Sequence, residues 1–182
     1  MPNSKLAFVA SDFAAYENTS KYMNIFSDLF ASKGIVFSER SVIDYRISSD
    51  KARAVIGNAE VVWLSGGDTL KQIQHIKKYG LIDTLQKCEG ITIGMSAGSI
   101  KMAKRVILAR DVRENIMDMV IYDGIGLVDY NIEPHLDFSL SEHIGDIIAA
   151  SKIEPIYGLF DESFIVIAGD TFSIHGEYYL FD

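Results

Sequence analysis

The chain has 182 residues, 48% hydrophobic and 23% charged, which suits a single globular domain over residues 1–182 with a real core and excludes a disordered chain. Seventeen basic residues against 25 acidic ones give a formal net charge of −8, which argues against sequence-blind binding to nucleic acid or an anionic membrane. One cysteine, Cys88, cannot form an internal disulfide, and no segment, the N-terminal MPNSKLAFVASDF included, has the apolar length of a signal peptide or a membrane span, so a soluble, cytoplasmic protein is expected.

In chain order, apolar runs alternate with helical patterns. Leu6 to Ala10 reads as a short buried strand, and Tyr16 to Ser32 as an amphipathic helix with Tyr22, Ile25, Phe26, Leu29 and Phe30 at spacings of three and four. Gly34 ends it. A second strand falls at Ile35 to Phe37 or at Val42-Ile43, followed by a short helix from Asp50 to Asn58. Val61 to Leu64 is a third strand, broken by SGGD at Ser65 to Asp68. Helical spacing then resumes through Leu70, Ile73 and Ile76, with a further turn or two over Leu81 to Lys87. Strand and helix in alternation, joined by short glycine-containing turns, predict an α/β fold with a mostly parallel sheet. After a helix from Ser141 to Ser151, the runs IYGLF, SFIVIAGD, TFSIHGE and YYLFD predict antiparallel hairpin strands.

Between the Ile91 strand and the residues after it stands GITIGMSAGSI. Its Gly94-Met95-Ser96-Ala97-Gly98 has the spacing of a nucleophile elbow, in which a serine occupies a strained strand-to-helix turn and the glycines two positions away let neighbouring chains approach. The N–H of Ala97 then points into an anion-stabilising hole, and a backbone N–H of Gly66 or Gly67 in SGGD can supply the second donor. The plainer roles are a serine cap for Ser96 and, for SGGD, a tight turn with Asp68 capping the next helix. Among the four histidines, His75 and His143 lie in helical patterns and His175 beside a hairpin turn. His135, in NIEPHLD, has the loop context of a catalytic base.

WLSGGDTL, GITIGMSAGS and NIEPHLD, in that order and at these separations, resemble the peptidase E family of serine peptidases (family S51), which includes aspartyl dipeptidase and, more distantly, cyanophycinase. The resemblance runs from about Trp63 to Asp137, with a weaker echo at YGLFDES. It implies a doubly wound α/β scaffold of the flavodoxin-like or class I glutamine amidotransferase-like kind, and a Ser-His hydrolase acting on short peptides as a dipeptidase or aminopeptidase. Carried over by position, Ser96 is the nucleophile, His135 the general base, and Gly67 and Ala97 the oxyanion donors. Asp111, fifteen residues beyond Ser96, matches the family's triad aspartate, with Asp161 in YGLFDES as the alternative acid. Neither a cofactor nor a metal is expected, since the histidines are scattered. A short peptide is the expected partner, and a homodimer is left open.

Two positions depart from the family pattern. Asp68 and Glu133 stand where the aspartyl dipeptidases tend to carry asparagine, and both are candidates for the substrate pocket. Negative charge there disfavours an acidic P1 side chain. The alternatives are a cyanophycinase-like hydrolase of β-aspartyl-arginine and a catalytically inactive binding module of the same fold. A glutamine-amidotransferase chemistry would need cysteine where Ser96 stands.

Overall fold

The computed structural model describes residues 4–182; Met1 to Asn3, the start of the N-terminal stretch read for a leader, lie outside the described residues. The chain resolves into two compact units, Met1–Lys101 and Met102–Asp182. In the first, β1 (Lys5–Val9), β2 (Glu39–Ile43), β3 (Val61–Leu64) and β4 (Ile91–Gly94) form a parallel sheet in the order β2-β1-β3-β4. The second strand is thus the later of the two candidates, beginning at Glu39. Helices α1 (Tyr16–Ser32), α2 (Ser49–Gly57), α3 (Thr69–Lys78) and α4 (Ile82–Gln86) make the crossovers, as parallel pairing requires.

Alternation along the strands covers both faces of this sheet. Leu6, Phe8, Val61 and Trp63 pack on one side with Phe26 and Phe30 of α1, where the Trp63 ring lies 4.4 Å from Phe26 and meets Phe30 edge-on at 5.8 Å. Ala7, Val9, Val62 and Leu64 point the other way and are fully buried too. Each large side chain buried here stabilises the fold by about 1.5–3 kcal/mol. The apolar residues of α1 do not all face inward: Tyr22, Ile25 and Leu29 are exposed, so the helix is apolar on two sides and only the Met23, Phe26 and Phe30 side meets the core.

The strand order reverses between β1 and β3, and α/β sheets of this kind open a crevice at the carboxyl ends of such strands. Buried Gln72 of α3 closes the floor of that region, its amide donating to the carbonyls of Val9 and Ala10 at 3.2 and 2.8 Å and to Ser65 Oγ at 3.3 Å.

In the second unit β5 (Arg105–Leu108) pairs antiparallel with β6 (Val120–Asp123), a hairpin absent from the sequence expectations. β7 (Asn131–Pro134) runs parallel to β8 (Ile156–Leu159), on whose other edge β11 (Tyr178–Phe181) pairs antiparallel, and β9 (Phe164–Ala168) forms a hairpin with β10 (Thr171–His175). α6 (Ser141–Ser151) contributes Ile147 and Ala150 to a core with Ile107, Leu136, Ile156 and Phe181.

Candidate active site

Ser96 sits just beyond β4 and just before the single turn of α5 (Ala97–Ile100), with φ 49° and ψ −123°. A non-glycine residue in that region carries about 1–3 kcal/mol of strain, and it persists only where the surroundings impose it. Here they do. Met95 N–H donates to the Leu64 carbonyl at 3.1 Å, Gly98 N–H to Met95 at 2.7 Å, and both the N–H and the hydroxyl of Ser99 hold the Ser96 carbonyl, at 2.8 and 2.5 Å. A Cβ on Gly98 would collide with the Leu64 carbonyl, so the glycine two residues after the serine is what lets the turn lie on β3.

The SGGD turn lies against this elbow. A Cβ on Gly66 would stand 3.2 Å from the Met95 carbonyl and 3.4 Å from Ser96 Cβ, and Gly67 has φ +122° with its bare Cα packed on Ser11. The Ala97 N–H is the first of α5, where no intrahelical carbonyl is available to it. Asp68 is exposed and caps α3, accepting from Lys71 N–H at 2.9 Å. Lys101, which carried no signal beyond being a charge in an apolar stretch, is fully buried with its Nζ donating to the Ala97 carbonyl.

In the second unit, strand register decides which side chains meet. Pro134 at the end of β7 is opposite Leu159 at the end of β8, so His135 and Asp161 emerge from the same carboxyl edge one and two residues later. Leu136 N–H donates back to the Leu159 carbonyl at 2.9 Å, and His135 takes φ 58°, which swings its ring out of the strand plane. His135 Nδ1 lies 2.6 Å from Asp161 Oδ1. A carboxylate only accepts, so Nδ1 carries the proton and Nε2 keeps the lone pair a general base needs. Both side chains are exposed, 64% and 80%, so the pair fixes a tautomer and adds little to stability.

Asp111, the acid that the family resemblance implies first, makes other contacts. Its carboxylate accepts from the backbone N–H and Nε of Arg113 at 3.0 and 2.9 Å and from Nη2 at 2.6 Å, and its remaining neighbour is His143 at 3.6 Å. Burial alone would raise its pKa, but the Arg113 hydrogen bonds and the His143 charge hold it below the usual carboxylate range. Glu133, expected in the substrate pocket, bonds His143 Nε2 at 3.2 Å, while His143 Nδ1 donates to the Arg110 carbonyl at 2.9 Å. The Glu133 hydrogen bond raises the His143 pKa against the opposing effect of burial.

Donor atoms of Asp111, Glu133 and His143 lie within 4.8 Å of one another, close enough to hold a cation. Arg113 pairs with Asp111, and His143 stands between Asp111 and Glu133, so the two carboxylates already have partners within the cluster.

The sequence profile of peptidase family S51 matches residues 3–175. Among solved structures, a candidate peptidase E protein from Listeria monocytogenes EGD-e superposes with a TM-score of 0.68 at 17% identity, covering 94% of this chain and 85% of its own. A peptidase from an acI-B1 Actinobacterium gives 0.67 at 17% identity, covering 97% of this chain and 76% of its own. Among curated proteins, nothing matches. The structural likenesses carry the fold, and the profile match over nearly the whole chain carries the family: the chain belongs to peptidase family S51 and is a serine-type peptidase.

Proposed function

We propose that the protein hydrolyses short peptides, as a dipeptidase or an aminopeptidase does, through an acyl-enzyme on Ser96. The observation that carries the proposal is the strained backbone of Ser96 (φ 49°, ψ −123°) between two glycines, a conformation that helix capping does not require. His135 takes the hydroxyl proton as Ser96 attacks the peptide carbonyl, the N–H groups of Gly67 and Ala97 hold the oxyanion, and His135 returns the proton to the leaving amine. Water then enters, loses a proton to His135, and releases the acyl group with Ser96 restored. Asp161 holds the base in its working tautomer and stabilises the imidazolium formed in each half-reaction, a role supported by its 2.6 Å contact with Nδ1.

Asp68 leaves an exposed carboxylate at the sheet's carboxyl edge, whereas Asp12, just beyond β1, is neutralised by Lys71 at 2.8 Å. Neutral or basic P1 residues are therefore cleaved at least as well as aspartyl ones. Hydrolysis of a dipeptide and tripeptide library by wild type and Ser96→Ala in parallel tests both parts. The variant is inactive on every substrate, whereas a kcat/KM for Asp-X dipeptides more than about a hundredfold above all others contradicts the P1 assignment.

A further inference from the structure

Lysine is almost never fully buried without a charged partner. Lys101 is 0% exposed, and among the described residues it forms no ion pair. Its position explains where the side chain goes. α5 has only four residues, and the Lys101 backbone N–H, which in a longer helix would bond the Ala97 carbonyl, bonds Ser99 instead. The side chain turns back and donates its Nζ to that same Ala97 carbonyl, which the Thr69 hydroxyl shares at 3.4 Å. The ammonium thus closes from within the one-turn helix whose first N–H is the oxyanion donor of the proposed mechanism.

We propose that Lys101 is a positioning residue of the oxyanion hole, bracing the Ala97 carbonyl so that the Ala97 N–H keeps its aim and a fixed positive charge stands behind the developing oxyanion. The inference rests on Ser96 being the nucleophile. Holding a charge there has a cost: burial pushes the Lys101 pKa down to about 7, and the one charged group that offsets this is Asp68, at the N-terminus of α3. A hydrocarbon side chain of similar length would fill the space without that cost. The hole it braces therefore weakens as the lysine loses its proton.

The test is the second-order rate at which a fluorophosphonate probe modifies Ser96 in the full chain, wild type against Lys101→Met, from about pH 5.5 to 9.5. The wild-type rate falls as pH climbs past about 7. Lys101→Met reacts about tenfold more slowly near neutrality, since removing an oxyanion donor outright costs roughly 10²–10³ and this residue acts one peptide away. Its profile lacks the alkaline fall, the two curves converge above about pH 9, and its Tm at neutral pH equals or exceeds that of wild type. Wild-type labelling that stays flat from pH 7 upward overturns the proposal even if the variant fails to fold. Equal rates for the two proteins, or a shared alkaline fall, overturn it as well. No adduct on wild-type Ser96 at any pH removes the nucleophile itself, and Lys101's role with it.

Discussion

Asp161 and Asp111 differ in what already holds them. Asp161 faces the ring nitrogen of His135, whereas Asp111 is held by three hydrogen bonds from Arg113. Asp161→Asn is expected to lower kcat by roughly 10³- to 10⁴-fold with little change in Tm, because an amide donating to Nδ1 leaves the wrong tautomer. Asp111→Asn is expected to lower Tm and to change kcat by less than about tenfold, since it leaves Arg113 without its carboxylate partner. Steady-state kinetics and thermal melts on the two variants check this, and the reverse order of kcat losses would return the triad to Asp111. The resemblance to the family's motifs points to Asp111. What points to Asp161 is the register of β7 on β8, which brings together His135 and Asp161, 26 residues apart in the chain, and which no local pattern encodes. The strained turn at Ser96, by contrast, is legible from five residues, because an elbow needs its two glycines at fixed offsets.

At the scale of elements, periodicity locates what is locally determined. α1 and α6 span the residues their apolar spacing marks, Tyr16–Ser32 and Ser141–Ser151, and β1 and β3 are short apolar runs bounded by turn residues. The β5-β6 hairpin escapes such a reading because its strands are joined by the polar stretch from Ala109 to Met119, which contains a 3-10 turn at Val112–Glu114 and no tight-turn dipeptide. His143 escapes for another reason. Helical spacing does not tell that its ring meets Glu133 of β7 and Asp111 beyond β5, which links α6 to two other segments.

That link carries a pH signature. The folded pKa of His143 is raised, so its stabilisation is fully present below the unfolded value of about 6.5 and is lost as pH rises through the folded value. Asp111 is depressed, so its share is present above about 3.9 and lost as pH falls through its folded value. The difference in Tm between wild type and His143→Gln is therefore larger near pH 5.5 than near pH 9. An equal difference at both would show that the ring is not protonated in the folded protein. Lys101 titrates in both proteins and cancels in the comparison.

For the molecule as a whole, the family match spans both units. Among the described residues no helix is long and apolar enough to cross a membrane, and the net charge of −8 disfavours polyanionic ligands. All of this depends on Ser96 forming a covalent bond to its substrate. Intact-protein and peptide mass spectrometry after exposure to a fluorophosphonate probe tests that most directly. The account predicts one adduct per chain, mapped to Ser96, absent in Ser96→Ala and slowed by on the order of 10³-fold or more in His135→Ala. An adduct on another residue, or none on correctly folded wild type that still cleaves dipeptides, would contradict it.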